Sequence, residues 1–186
     1  MDAKVRLGVS RCLLGERVRY DGGHKLDRDL LATLAPVAVF VPVCPEVECG
    51  LPVPREAMNL CGDPAAPRLI ATATGLDLTE KLTAWAARRL DELASENLCG
   101  FVFKTGSPSC GLTCIKVYRD NGGFAETGMG IFARLFRERF ALLPCQDELG
   151  LRAAAPRQDF IERALAFQHA SIERPKGLRP EALPNE

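Results

Sequence analysis

Three cysteines each follow a short apolar run, and this placement points to metal or thiol chemistry. They are Cys12, Cys44 and Cys110, and the runs before them begin at residues 5, 37 and 101. If the runs are parallel strands of one open sheet, their carboxyl ends lie side by side at the crevice where ligands bind. We therefore expect the three thiols to converge as ligands of a metal or a metal cluster. The alternative is that each cysteine is simply a small buried apolar side chain.

The spacing of the cysteines favours a cluster over a structural zinc site. Structural zinc sites draw their ligands from closely spaced pairs such as C-x2-C, and no such pair occurs among the eight cysteines of this chain. The two histidines have no partners at ligand spacing, which argues against a histidine metal site. Three thiolates from separate strand ends suit an iron–sulfur cluster in which one iron lacks a protein ligand.

Glu46, Ser107 and Ser109 are the candidates for acid–base and hydroxyl chemistry beside the thiols. Glu46 follows Cys44 by two residues and is the carboxylate best placed to act as an acid or a base, although composition alone favours a solvated loop glutamate. Ser107 and Ser109 flank Pro108 in the turn that carries Cys110. Their hydroxyls could orient substrate or water, or could satisfy amides of the turn.

Three charged residues are candidates for binding a polar substrate. Arg19 and Asp21 lie in a loop rich in turn residues, and Arg55 lies in a proline-rich stretch. Their charges could anchor a polar ligand, or the three side chains could pair with one another at the surface.

The elements needed to position these residues follow from the apolar patterning, which predicts an α/β fold with a mainly parallel sheet. A strand at 5–10, a helix at 26–34 and a strand at 37–43 make the minimal parallel crossover unit. Residues 44–67, with five prolines, predict an irregular loop. Further strands are predicted at 68–73, 101–104, 115–118 and 142–144, and further helices at 79–97, 131–139 and 158–170.

The patterning also predicts how the chain is divided. Residues 1–150 form an α/β domain, 151–173 carry a C-terminal amphipathic helix, and 174–186 are predicted to be disordered. Trp85 is predicted to pack in the core, on the apolar stripe of the helix at 79–97.

Composition excludes several classes of function. The chain has 24 basic and 24 acidic residues among 186, so no net charge attracts it to nucleic acid or to an anionic membrane. No apolar run approaches the length of a bilayer span, and the first residues lack the apolar core of a signal peptide. We therefore predict a cytoplasmic protein that binds neither nucleic acid nor membrane, and we do not expect its cysteines to form disulfides.

Five ordered blocks of sequence resemble the thiouracil desulfidase family. The similarity covers residues 4–150, and the blocks read SRCLLG from Ser10, RYDG from Arg19, CPEV from Cys44, GLPVPR from Gly50 and SPSCG from Ser107.

This resemblance implies a Rossmann-like α/β domain that binds a [4Fe-4S] cluster through Cys12, Cys44 and Cys110. It also implies that the open iron accepts sulfur from a thiolated nucleobase such as 2-thiouracil, while water replaces the sulfur on carbon without redox change. Glu46 would then move protons and activate water, Ser107 would bind or protonate the base, and Ser109, Arg19, Asp21 and Arg55 would contact substrate. The predicted partners are a small thiolated pyrimidine and the iron–sulfur assembly machinery.

One departure from the family keeps other functions open. The family has two glycines before Leu-Pro, whereas this chain has Cys49 and Gly50. Cys49 as a fourth ligand would close the open iron, and the protein would then be a non-catalytic iron–sulfur module or redox sensor. A zinc-dependent hydrolase is the third alternative.

Overall fold

The computed structural model describes residues 4–119 and 122–172, which form two four-stranded sheets with helices packed around them. The strands are β1 Val5–Ser10, β2 Ala38–Val43, β3 Met58–Cys61, β4 Arg68–Ala71, β5 Gly100–Phe103, β6 Ile115–Tyr118, β7 Phe124–Gly128 and β8 Cys145–Asp147. The α-helices are α1 Arg28–Leu34, α2 Pro45–Glu48, α3 Thr79–Ser95, α4 Ile131–Arg139 and α5 Ala154–Ile172, and 3-10 helices span Arg11–Leu14 and Gly150–Arg152. The predicted α/β class is therefore confirmed.

The first sheet is entirely parallel and contains the strands that precede the three cysteines. Its order is β2-β1-β5-β8, with every neighbouring pair parallel. Ser10 at the end of β1 is in register with Val43 at the end of β2, and Val9 is in register with Val102 on β5. The chain therefore leaves β1, β2 and β5 at the same edge of the sheet, as predicted.

The second sheet is mixed, and the sequence did not predict it. Its order is β4-β3-β6-β7, with a parallel pair, β3 with β6, between two antiparallel pairs. Its strands have four or five residues each, too few for apolar alternation to identify a separate sheet. Their inward side chains, among them Met58, Leu60, Leu69 and Val117, are buried in one apolar cluster.

The predictions for the proline-rich segment and for the last strand are wrong for local reasons. The segment 44–67 is not irregular throughout, because Pro45 opens α2 at a position where a helix needs no proline N–H, and residues 58–61 form β3. The last strand lies at Cys145–Asp147 rather than 142–144. Leu142 is 70% exposed, while the carbonyl of Pro144 accepts a hydrogen bond from the amide of Phe101 at 2.9 Å.

Aromatic packing fixes the parallel sheet against α3 and α4. Phe101 and Phe103 of β5 are fully buried and their rings contact Phe132 and Phe136 of α4. The ring of Trp85 on α3 is 7% exposed and lies 5.5 Å from that of Phe132, which confirms its predicted place in the core. Burial of these large rings is the main local contribution to stability.

Helix α5 packs on the parallel sheet through the side chains of Phe160 and Ala164. Both belong to the apolar cluster that contains Val5 and Leu7 of β1. The helix is longer than the predicted 158–170, and the predicted disorder at 174–186 lies outside the described residues. None of the helices in the described ranges is long and apolar enough to cross a bilayer.

Candidate functional site

A pocket of about 120 Å³ opens where β1, β2 and β5 end, and it contains all three predicted cysteine ligands. Its lining combines thiols, charged side chains and apolar walls. The lining residues include Ser10, Cys12, Arg19, Tyr20, Cys44, Glu46, Arg55, Lys104, Ser107 and Cys110. The three thiol-bearing residues are 9%, 8% and 6% exposed in chain order, so they form the deep part of the pocket.

Short helices position the first two cysteines. Cys12 lies in the 3-10 helix that continues from β1, and Gly15 ends that helix in the left-handed region, with φ of 92°. Cys44 is the N-cap residue of α2, and its amide donates to Glu48 Oε1 at 2.7 Å. Arg89 of α3 in turn lies 3.3 Å from Glu48 Oε2. The Cys44 backbone is therefore tied to the core helix α3 through one carboxylate.

The turn that carries Cys110 is held by the start of α4. The amides of Ile131 and Phe132 donate to the carbonyls of Pro108 and Ser109 at 3.1 and 3.0 Å, which satisfies donors that a helix start leaves unpaired. Gly130 permits this contact, because a Cβ there would lie 2.5 Å from the Ser109 backbone. The position of Cys110 therefore depends on α4, which begins at Ile131, 21 residues further along the chain.

Burial dominates the acid–base properties of the three thiols. It raises the pKa of Cys44 to about 11 and raises the pKa of Cys12 and of Cys110 above the usual value. For Cys44 and Cys110 the neighbouring thiolates and the Glu46 carboxylate add to this rise, because like charges disfavour ionisation. Lys104 and Arg19 act in the opposite direction on the pKa of Cys12. The three thiols are therefore close enough to interact electrostatically.

Glu46 lies in the pocket wall with both carboxylate oxygens occupied. Arg55 donates to Oε2 through Nε at 3.0 Å and also through Nη2, while the hydroxyl of Ser109 donates to Oε1. The Glu46 side chain is 13% exposed and that of Arg55 is 6% exposed. Glu46 is therefore not a solvated loop residue but an oriented, paired carboxylate.

Ser107 is linked to Glu46 through the hydroxyl of Ser109. Its Oγ accepts from the amides of Ser109 and Cys110 at 3.3 and 3.0 Å and lies 3.1 Å from Ser109 Oγ. A serine hydroxyl has two lone pairs and one proton, so the two amides leave Ser107 Oγ with that proton to donate. Ser107 lines the pocket, whereas Ser109 is fully buried and is not among the lining residues.

Arg19 and Arg55 also line the pocket, but Asp21 does not. The Asp21 carboxylate is 47% exposed, accepts the amide of Gly23 at 2.9 Å and lies 3.5 Å from Arg19 Nε. These contacts, with the Gly23 amide first, lower the pKa of Asp21. The structure thus places Arg19 and Arg55 in the pocket lining. Asp21 lies outside it and stabilises the loop that carries Arg19.

Lys104 is a pocket residue that the sequence analysis missed. It is paired with Glu148, whose side chain is only 6% exposed and which also accepts the Thr105 amide at 2.8 Å. The sequence could have indicated Lys104, because it directly follows a strand whose residues are all buried. Burying an ammonium group there is energetically unfavourable unless a carboxylate pairs with it. No sequence pattern indicated that Glu148 would be its buried partner. Ser10, also missed, accepts the Lys104 amide at 3.0 Å, and it lowers the pKa of Cys110 against the larger rise caused by burial.

Cys49 lies outside the pocket lining. Its thiol donates to the Glu46 carbonyl at 3.2 Å, and its side chain packs against the apolar clusters. Within residues 4–119 and 122–172, no group of three or more Cys, His, Asp or Glu side chains is arranged around one point as a single metal ion requires. The pocket lining therefore holds Cys12, Cys44 and Cys110, and Cys49 is not a fourth cysteine of that lining.

The chain is similar to known proteins over most of its length. It is 32% identical over 149 residues, 76% of this chain and 95% of the relative, to the uncharacterized protein YbbK of Bacillus subtilis strain 168. Among solved structures it is similar to the [4Fe-4S]-dependent thiouracil desulfidase TudS, with a TM-score of 0.64 and 31% identity, covering 84% of this chain and 99% of that one. The sequence model of the 2-thiouracil desulfurase family matches residues 7–148, a range that holds every residue of the pocket. The chain belongs to the 2-thiouracil desulfurase family.

Proposed function

We propose that this protein is an iron–sulfur-dependent desulfidase that acts on a thiolated pyrimidine such as 2-thiouracil. The reaction would replace C=S by C=O with one water and release hydrogen sulfide, without redox change. One observation carries the proposal: three buried cysteines share a small pocket with an oriented glutamate. Family membership and the similarity to TudS support an enzyme of this class.

The donor set of the pocket fits an iron–sulfur cluster. Thiolates are the usual ligands of such clusters, and each thiolate binds a different iron, so the sulfurs need not surround one point. Cys12, Cys44 and Cys110 provide three such thiols, and Cys49 is turned to the Glu46 carbonyl. When bound there, a [4Fe-4S] cluster would supply an iron without a cysteine ligand, which is a soft Lewis acid and a sulfur acceptor.

Glu46 is the proposed base that takes a proton from the attacking water. Its carboxylate lines the pocket, and the two N–H groups of Arg55 fix its plane. The Arg55 guanidinium also donates to the carbonyls of Val18 and Pro52 at 2.9 and 3.0 Å. Since most of its donors are used within the protein, Arg55 acts mainly by orienting Glu46 and has little capacity left for the predicted contact with substrate.

Ser107 is the proposed hydrogen-bond donor to the pyrimidine ring. Its remaining proton can point into the pocket or toward Ser109, which passes the hydrogen bond on to Glu46. A proton taken up by Glu46 therefore has a continuous route of two hydroxyls back to the pocket. In this proposal Ser109 relays the proton and does not make the predicted contact with substrate. Arg19 remains the cation that can bind a polar substrate.

The alternatives have less support from the geometry. A closed, non-catalytic cluster requires a fourth thiol, and Cys49 does not line the pocket. A zinc hydrolase requires three ligands around one ion, an arrangement not found in the part of the chain that the structure describes. The substrate, the hydrolytic step and the cytoplasmic location remain predictions.

The test is anaerobic purification followed by measurement of iron, labile sulfide and zinc, and then of uracil release from 2-thiouracil. We expect Glu46→Gln to keep the iron content of the wild type and to lower turnover by about 100-fold or more, because the amide cannot accept the proton. Glu126→Gln, an exposed glutamate on β7, is the matched control and should behave as wild type.

Two results would contradict the proposal. Full turnover by Glu46→Gln would show that Glu46 is not the base. Zinc without iron in an active preparation would favour the zinc hydrolase and exclude the cluster.

A further inference from the structure

Tyr20 stands at the mouth of the pocket and has no role in the scheme above. Tyr20 lines the pocket and is 43% exposed, whereas the three cysteines are at most 9% exposed. It is the one aromatic residue among the described residues that line the pocket. Because Tyr20 is far more exposed than the cysteines of the same pocket, an entering ligand can contact it before it contacts the deeper groups.

The backbone of Tyr20 is anchored to the same residue that orients Glu46. The amide of Arg55 donates to the Tyr20 carbonyl at 2.8 Å, while the Arg55 guanidinium binds the Val18 carbonyl and Glu46 Oε2. A tight turn, in which the Gly22 amide donates to the Arg19 carbonyl at 3.0 Å, closes the loop on the other side. The Tyr20 backbone is therefore fixed relative to the carboxylate.

The Tyr20 ring is also oriented by a charged neighbour. The guanidinium carbon of Arg19 lies 5.4 Å from the ring centroid, within the range of a cation–π contact. Asp21 lies 3.5 Å from Arg19 Nε and limits the freedom of that guanidinium. Backbone anchoring and side-chain packing together preorganise the ring, which reduces the entropic cost of binding against it.

We infer that Tyr20 is a specificity-determining residue whose ring stacks on a planar heteroaromatic substrate at the pocket mouth. This inference rests on the proposed function and deepens it, because it selects cyclic thioamides over acyclic ones. Stacking is available to every flat ring and contributes much less for a small molecule such as thiourea, which has no ring. Val18 and Pro108 also line the pocket, but neither offers a π-face.

The experiment measures uracil binding calorimetrically and desulfuration kinetically on the anaerobic, cluster-loaded protein. Tyr20→Leu removes the ring and keeps an apolar side chain, and we expect it to raise the Kd of uracil about ten-fold. Tyr20→Phe keeps the ring and should restore binding. The matched control is Tyr118→Leu, which removes the other tyrosine, 37% exposed on β6 and outside the pocket. The same Tyr20→Leu change should raise the KM for 2-thiouracil and leave kcat and iron content unchanged.

The outcomes separate this inference from the proposed function. Equal uracil affinity in wild type and Tyr20→Leu, no uracil binding by wild type, or equal losses in Tyr20→Leu and Tyr20→Phe would each overturn stacking. Uracil binding that depends on Tyr20 without any release of sulfide from 2-thiouracil would instead support the stacking platform and overturn the desulfidase.

Discussion

The two sheets of this protein are equal in strand number but differ in what their strand ends deliver. In the described ranges, the strands of the mixed sheet contribute no pocket residue, whereas β1, β2 and β5 of the parallel sheet lead directly into Cys12, Cys44 and the turn of Cys110. Parallel strands all end at one edge, so the segments after them converge. Antiparallel neighbours end at opposite edges, and their connections diverge.

Comparable residue types also have different surroundings in the two regions. Lys104 and Glu148, at the end of the parallel sheet, form a pair with side chains 16% and 6% exposed. Lys116 and Glu126, on the hairpin of the mixed sheet, lie 3.7 Å apart with side chains 47% and 58% exposed. The pocket side concentrates buried charge, and the other sheet contributes an apolar core with a solvated surface. Three changes test this division, from the largest expected effect to the smallest.

Cys44→Ser is expected to abolish iron binding, because the cluster would lose one of three protein ligands. Wild type purified without oxygen should carry about four irons per chain, and the variant close to none. Cys114→Ser, an exposed cysteine just before β6 of the mixed sheet, is the matched control and should keep its iron. Iron and labile sulfide analysis measures the difference. Full iron content in Cys44→Ser would show that Cys44 is not a ligand.

Glu148→Ala is expected to lower the free energy of unfolding by about 3 kcal/mol, since it leaves the Lys104 ammonium without its carboxylate in a largely buried site. Glu126→Ala removes the solvated partner of Lys116 and should cost about 0.5 kcal/mol or less. Urea denaturation of the metal-free proteins measures both. Similar losses for the two variants would contradict the contrast between the two charge pairs.

Asp77→Ala is expected to cost about 1 kcal/mol at neutral pH, by removing an acceptor at the start of α3. Asp77 Oδ1 accepts the Thr79 amide at 2.9 Å, and the Thr79 hydroxyl accepts the Leu69 amide of β4 at 2.8 Å. Hydrogen bonds from the Thr79 hydroxyl and amide lower the pKa of Asp77 from its usual 3.8.

The pH dependence of this loss has a definite sign. A carboxylate with a lowered folded-state pKa stabilises the protein above pH 3.8, and that stabilisation disappears as the pH falls through the folded-state pKa. The difference between wild type and Asp77→Ala should therefore vanish in acid, while the pocket and its iron content stay unaffected near pH 7. A difference that is independent of pH would show that Asp77 acts through packing alone.

The local elements were predictable where apolar periodicity and turn residues agree. The strand Val5–Ser10, the strand Ile115–Tyr118 and the helix Ile131–Arg139 have the predicted bounds. Strand β3 was not predictable, because its four residues lie among prolines and glycines and owe their conformation to pairing with β4 and β6. Pairing partners distant in sequence leave no local pattern.

The sequence alone determined the residue types of the candidate site and the order in which strand ends supply them. A cysteine after each of three apolar runs and an acid beside the second one are local facts, and the family resemblance depends on the same residues. Only the tertiary structure decided which of these groups interact. It turned Cys49 away from the pocket, buried Ser109 between Ser107 and Glu46, and paired Lys104 with Glu148 across 44 residues. The physical reason is that side-chain direction and burial depend on packing between distant segments, which no local spacing encodes.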